Sequence, residues 1–148
     1  MGLEQQLEED LKAAMRQKDA VRRDLLRLAR NAISYAKMTK GEPLDEKEIV
    51  VALQKEARQR RESIEAYTNG GRHDLAGKET AELAILMEYV PRQKTREEIA
   101  DIATSVIAEV GATGPSQKGP VMKKLIPMLK GEAEGTLVNQ VVADLLGD

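Results

Sequence analysis

The sequence predicts an all-α protein, built from an N-terminal bundle of about four helices and a small C-terminal unit of three helices. Apolar residues recur three and four positions apart in one segment after another, as they do along one face of a helix. The composition agrees, because 32% of the residues are charged and only 2% are aromatic, with 5 prolines in the whole chain. Pro91 marks the expected boundary, since proline lacks a backbone donor and disfavours helix in the residue before it. The predicted domains are 1–91 and 92–148.

The first two helices are predicted from apolar stripes on either side of a break at Lys18-Asp19. The first helix should run from about residue 3 to Lys18, with an apolar face made of Leu3, Leu7, Leu11, Ala14 and Met15. Asp19 is a suitable N-cap for the second helix. That helix is expected to bury Val21, Leu25, Leu28, Ala32 and Tyr35. Its solvent-exposed side should carry a basic stripe made of Arg23, Arg27, Arg30 and Lys37. The basic stripe is first interpreted as the solvated face of a bundle helix, with nucleic-acid contact as the alternative.

The third helix is predicted to follow Gly41-Glu42-Pro43 and to reach about Asn69. Asp45 and Glu48 have the spacing of a capping box. The expected buried side consists of Ile49, Leu53, Ala57, Ile64 and Tyr67, and the run Lys55, Arg58, Arg60, Arg61 adds four positive charges in seven residues. Three of these cations should point outward, whereas Arg60 falls inside the apolar stripe.

A fourth helix is expected after the turn Asn69-Gly70-Gly71, with Asp74 as its cap. Its apolar face, made of Leu75, Leu83, Leu86 and Val90, also contains Glu79. Because an unpaired charge inside a bundle is costly, Arg60 and Glu79 are predicted to pair between the third and fourth helices. A recognition role for the Glu79 carboxylate is the alternative.

The C-terminal unit is predicted to begin with a capping box made of Thr95 and Glu98. Its first helix should end at Gly111, and two further helices should span about 117–129 and 137–146. Pro127 is expected to kink or end the first of these two. In the loop between them, Gly131 and Gly135 suit a positive φ, and Thr136 is a possible cap.

Composition excludes several classes of site. The chain has no cysteine and a single histidine, His73, so thiolate nucleophiles and cysteine metal sites are excluded. No nucleotide-binding fingerprint or HExxH motif occurs. No catalytic site, cofactor or metal is therefore expected. A net charge of −2 argues against indiscriminate nucleic-acid binding. The longest apolar run, Leu83 to Met87, is too short for a signal peptide or a membrane span, so a cytoplasmic location is the default expectation.

Two sets of residues form recognisable motifs. The central set is Gly71-Arg72, Asp74-Leu75, Lys78-Glu79, Glu82-Leu83, Ile85-Leu86 and Tyr89-Val90-Pro91. The C-terminal set is Gly119, Val121-Met122, Pro127, Lys130-Gly131, Ala133, Gly135 and Val138-Asn139. Over nearly its whole length the chain thus resembles the GatB/YqeY family, in the form of a stand-alone YqeY-like chain. The family pattern around the loop is Lys-Gly-Arg/Lys-Ala-Asp-Gly, and here Glu132 replaces the basic residue and Glu134 the aspartate.

The resemblance implies kinship with the C-terminal region of the B subunit of the glutamine-dependent aspartyl/glutamyl-tRNA amidotransferase. It predicts a non-catalytic, tRNA-interacting accessory module with weak affinity. The expected nucleic-acid-binding residues are Lys118, Lys123, Lys124, Lys130, Arg58 and Arg61, with Arg60, Glu79, Gly131 and Gly135 as structural residues. Two alternatives remain: an adaptor for a tRNA-charging enzyme or amidotransferase, and a carbon-nitrogen ligase activity implied by kinship alone.

Overall fold

The computed structural model describes residues 2–147, and over that range the chain is helical throughout, without a strand. The all-α prediction is confirmed. The described residues form seven α-helices and one short 3₁₀ helix, Pro115–Gln117. The α-helices are α1 (Leu3–Arg16), α2 (Ala20–Lys40), α3 (Glu46–Asn69), α4 (His73–Met87), α5 (Arg96–Val110), α6 (Lys118–Leu129) and α7 (Gly135–Leu146). They group into two compact units, one ending at Pro91 and the other beginning at Arg92.

The first unit is a four-helix arrangement in which α1 packs along α2 and α3 packs along α4. Its core is aliphatic, with Leu7, Leu25, Leu26, Ile33, Leu53 and Leu86 among its buried side chains. Past α4, the phenol of Tyr89 donates a 2.6 Å hydrogen bond to the Asp10 carboxylate on α1. Burial, together with this hydrogen bond, raises the pKa of Tyr89. The bond therefore ties the first helix to the end of the unit.

The buried face of α2 differs from the prediction. The core receives Leu25, Leu26, Ala29 and Ile33 from this helix, while Val21, Leu28 and Tyr35 are exposed and Ala32 is half-buried. Both sets of residues have helical spacing, so periodicity alone does not choose between them. The packing of α1, α3 and α4 around α2 makes that choice. On α1, Met15 is likewise exposed rather than buried.

Most of the predicted caps in the first unit are present. Asp19 accepts a hydrogen bond from the Arg22 amide at 3.1 Å, and Asp45 and Glu48 form a complete capping box. The Asp74 prediction is wrong, because α4 begins at His73, with Arg72 at the N-cap and no side-chain cap, so that Asp74 lies inside the first turn. Gly71 adopts the positive φ expected of this turn, at 75°.

The second unit packs α5, α6 and α7 around a core of buried aliphatic residues that includes Ile99, Val106, Leu125, Leu129 and Val138. The capping box of Thr95 and Glu98 is present, and Gly111 ends α5 with φ 75°. Pro127 lies inside α6, which ends two residues later.

Two predictions about the loop between α6 and α7 are wrong. Gly135 is the first residue of α7 rather than a positive-φ position, and Thr136 lies inside that helix with no side-chain cap at its start. Gly131 does adopt a positive φ, at 85°.

Candidate nucleic-acid interface

The basic run on α3 divides into outward-pointing cations and one buried arginine. Lys55 and Arg61 are exposed and Arg58 is half-buried. The Arg61 guanidinium Nη2 lies 3.6 Å from the Met87 sulfur on α4. Arg58 has no ion-pair partner among residues 2–147. Of the two α3 cations in the predicted interface, Arg61 therefore already contacts α4, whereas Arg58 makes no ion pair within residues 2–147.

Arg60 lies between α3 and α4, where it contacts two carboxylates. Its Nη1 is 2.7 Å from a Glu79 oxygen and 2.8 Å from a Glu82 oxygen, and its side chain is only 8% exposed. The Arg60–Glu79 contact is thus present, and Glu82 is an additional partner that the sequence analysis missed. The sequence does indicate this second partner, because Glu82 follows Glu79 by three residues and both carboxylates therefore lie on the same face of α4. Within the described chain the Arg60 Nε is buried without a hydrogen-bond partner.

The four lysines predicted to face nucleic acid in the second unit differ in their partners. Lys124 pairs with Glu109 of α5, so its charge is neutralised locally. Lys123 is exposed, while Lys118 and Lys130 are half-buried at the two ends of α6. None of these three has an ion-pair partner in the part of the chain that the structure describes. Lys123 lies within α6, whereas Lys130 is the residue directly after the helix, at its C-cap.

The loop that follows Lys130 is fixed by the segment that precedes α5. The Lys94 amide donates to the Glu132 carbonyl at 2.8 Å, and the Gln93 side-chain amide donates to the Gly131 carbonyl at 3.1 Å. Gly131 and Ala133 are buried, whereas the Glu132 side chain is exposed. No sequence pattern at Gln93 or Lys94 indicates a loop partner, so this contact was not predicted.

The negative charge of Glu132 acts on Arg92, which already has a partner. Arg92 makes two 2.9 Å hydrogen bonds to the Glu98 carboxylate, and Glu132 acts on it only electrostatically. The Glu98 contact is the main cause of the raised pKa of Arg92. Glu132 makes no ion pair among the described residues, and an exposed carboxylate two residues from Lys130 disfavours phosphate there.

The basic stripe of α2 is partly neutralised. Arg23 pairs with Asp24 at 2.9 Å, and Lys37 pairs with Glu4 of α1. Arg27 and Arg30 are exposed and have no ion-pair partner over residues 2–147. They are the cations on this helix that remain available to a ligand.

The described residues contain no group of three or more His, Cys, Asp or Glu side chains placed to hold a metal ion. His73 is an exposed residue at the start of α4. None of the helices between residues 2 and 147 combines the length and the apolar character needed to cross a bilayer.

Comparison with known proteins identifies the family. The profile described as "Yqey-like protein" matches residues 4–146, which is almost the entire chain. The chain belongs to the YqeY-like family. The resemblance seen in the sequence is therefore confirmed, and both units lie within the matched YqeY-like region.

Two fungal relatives of this YqeY-like chain carry the name "Altered inheritance of mitochondria protein 41, mitochondrial". The protein from Pyrenophora tritici-repentis is 28% identical over 144 residues, which cover 95% of this chain and 79% of that protein. The protein from Eremothecium gossypii is 31% identical over 110 residues, which cover 72% of this chain and 60% of that protein. The match to the second relative thus spans less than two thirds of its length.

Proposed function

We propose that this YqeY-like protein is a non-catalytic, tRNA-interacting accessory module that binds weakly through α6. The observation that carries the proposal is the contrast between lysines on that helix. Lys124 is neutralised by Glu109, while Lys118, Lys123 and Lys130 make no ion pair among the described residues. Basic side chains without a protein partner gain most from a phosphate, because no existing ion pair has to be broken.

Weak affinity follows from the charge balance. The chain carries a net charge of −2, and the exposed Glu132 carboxylate follows Lys130 by two residues. Arg58 is a second candidate contact on the other unit, and Arg61 contributes less because it already contacts α4. Recognition through phosphates positions a nucleic acid without reading its sequence, so little discrimination between tRNAs is expected.

The test compares two neighbouring lysines on one helix. Binding of a fluorescent tRNA to the full chain is titrated at several salt concentrations for wild type, Lys123→Ala and Lys124→Ala. Lys123→Ala should weaken binding and reduce the slope of log K against log salt by about 0.7–0.9, the value for a single phosphate neutralised by a lysine. Lys124→Ala is the matched control and should leave the slope unchanged.

A substitution that adds positive charge tests the effect of Glu132 in the loop after α6. Glu132→Arg should tighten binding and steepen the slope by about one unit for each additional phosphate that it neutralises, to a similar extent for different tRNA sequences. A flat salt response of the wild type at low salt would remove the tRNA proposal. An unchanged slope for both Lys123→Ala and Glu132→Arg would show that tRNA does not bind at α6 and the loop that follows it.

A further inference from the structure

The loop between α6 and α7 is tied to the end of α6 through its amides. The Leu129 carbonyl accepts hydrogen bonds from the amides of Glu132 and Ala133, at 2.9 and 3.1 Å. Gly131 allows this tight turn with φ 85°, a backbone conformation that other residues adopt only at a cost. Gly131 and Ala133 are both buried. A buried carbonyl without a donor is costly, so the Gly131 carbonyl needs a donor from outside the loop.

That donor comes from the segment before α5. The Gln93 side-chain amide donates to the Gly131 carbonyl at 3.1 Å, and the Lys94 backbone amide donates to the Glu132 carbonyl at 2.8 Å. A backbone amide is present at position 94 whatever the residue, proline excepted, whereas the bond to Gly131 requires the side chain of Gln93. Gln93 is therefore the residue through which the sequence controls this contact.

Two side chains with opposite effects on a phosphate flank the glycine of this loop. Lys130 directly precedes Gly131, and Glu132 directly follows it. Lys130 is half-buried, so the course of the loop backbone limits where its ammonium group can lie. Ordering a long side chain and a mobile loop opposes binding, and a loop that is already held leaves less of this cost to the binding step.

Gln93 can act on the loop without acting on the core of the second unit. The buried core consists of aliphatic side chains from α5, α6, α7 and the loop, and Gln93 is not part of it. The start of α5 is fixed separately, by the capping box of Thr95 and Glu98 and by the contact between Arg92 and Glu98. Removing the Gln93 amide should therefore loosen the loop and leave the three helices in place.

We propose that Gln93 is a positioning residue for nucleic-acid binding, which holds the loop after α6 so that Lys130 meets a phosphate from an ordered backbone. The inference rests on the proposed binding of tRNA through α6. The affinity of the loop for phosphate then depends on an uncharged side chain that does not itself touch the nucleic acid.

The test replaces the Gln93 amide with an apolar group of similar size. Gln93→Leu leaves the net charge unchanged, so the overall electrostatic attraction to tRNA stays the same. Hydrogen exchange of the Glu132 and Ala133 amides, followed by NMR, should become faster. Affinity for a fluorescent tRNA at low salt should fall about two- to tenfold, the factor expected for ordering one long side chain. Gln140→Leu, the same change at an exposed position of α7, is the matched control and should alter neither measurement.

A double-variant cycle separates positioning from a general loss of structure. In a Lys130→Ala background the loop has no ammonium group to position, so Gln93→Leu should weaken tRNA binding no further. A general loss of structure would also disturb the contact at Lys123, and its effect would persist in this background. Gln93→Ala is a second variant without the donor, and thermal unfolding checks that each variant keeps the fold.

The inference fails on any of several outcomes. Unchanged tRNA affinity in Gln93→Leu, with faster exchange in the loop, would make Gln93 a structural residue only. Equal weakening with and without Lys130 would show that Gln93 acts through the fold of the unit. Unchanged exchange at Glu132 and Ala133 would show that Gln93 does not hold the loop.

Two further results distinguish this inference from the proposed function on which it rests. If Lys123→Ala weakens tRNA binding and Lys130→Ala does not, binding through α6 stands and the role of Gln93 is refuted. If the wild type shows no salt-dependent binding of tRNA, both are refuted together.

Discussion

Arg60 shows how a single buried charge is accommodated in an aliphatic bundle. It faces two carboxylates, Glu79 at 2.7 Å and Glu82 at 2.8 Å, in a cluster with one positive and two negative formal charges. Removing the arginine from such a cluster is destabilising, because it leaves the two carboxylates without a counter-charge away from water. Arg60 therefore fixes how α3 and α4 lie against one another.

We predict that Arg60→Ala destabilises the protein by about 3 kcal/mol, because it strands Glu79 and Glu82 together. Urea unfolding followed by circular dichroism measures the change. Arg58→Ala, on the same helix but without an ion-pair partner, is the control and should cost less than about 0.5 kcal/mol. Restoring part of the loss with Glu79→Gln and Glu82→Gln in the Arg60→Ala background would confirm the cause. Equal effects of Arg60→Ala and Arg58→Ala would show that water reaches the cluster.

At the scale of single helices, the start of α5 concentrates several local interactions. The Thr95 hydroxyl accepts from the Glu98 amide at 3.1 Å, and the Glu98 carboxylate accepts from the Thr95 amide at 3.0 Å. The Arg92 guanidinium also binds this carboxylate, and these contacts lower the pKa of Glu98 to about 2. The ionised form of Glu98 is therefore favoured by folding.

This lowered pKa gives a pH dependence with a definite sign. Since the Glu98 pKa falls from 4.5 when unperturbed to about 2 in the fold, its stabilisation is complete above pH 4.5 and is lost as pH falls towards 2. We predict that Glu98→Gln removes this part of the acid sensitivity of the second unit, whereas Glu97→Gln does not. Thermal unfolding between pH 6 and pH 2.5 measures the difference.

A second variant tests the other half of this capping box. Thr95→Ala should cost about 1 kcal/mol at neutral pH, as the loss of an N-cap does in other helices. Identical acid profiles for Glu98→Gln and Glu97→Gln would argue against the pairing of Glu98 in solution.

Sequence reasoning succeeded for features of the helices that depend on neighbouring residues. The capping boxes at Asp45 and Thr95 and the cap at Asp19 were found because a cap involves only three or four consecutive residues. The exposed side of α2 was missed because two apolar faces of that helix both have helical periodicity, and tertiary packing selects between them. Contacts such as Gln93 with Gly131 join residues 38 positions apart, and no local pattern encodes them.

For the whole molecule, the sequence predicted two domains that meet at Pro91, and the described residues cluster into compact units at that position. Each unit has its own aliphatic core. Independent folding remains a prediction. Independent folding is less favourable for the shorter unit, 92–148, because small domains bury a smaller fraction of their surface when they fold.

We predict that fragments 1–91 and 92–148, produced separately, each fold into helical domains. Amide NMR spectra of the two fragments should overlay on the spectrum of the full chain, except near the cut. Calorimetry of the full chain should then resolve two transitions, of which Arg60→Ala shifts only the one that belongs to the first unit. A collapsed amide spectrum for 92–148 alone would show that it requires the preceding helices.

The hydrogen bond between Tyr89 and Asp10 also has a consequence for synthesis of the chain. Its two residues are 79 positions apart, so at roughly 5–20 residues per second a ribosome needs about 4–16 s after adding Asp10 before it adds Tyr89. During that interval α1 can pair only with the helices already made, and its neighbour α2 is the first of them. The nascent α1–α2 hairpin therefore exists for several seconds with part of its apolar surface uncovered, and a chaperone that binds apolar segments can reach it during that time.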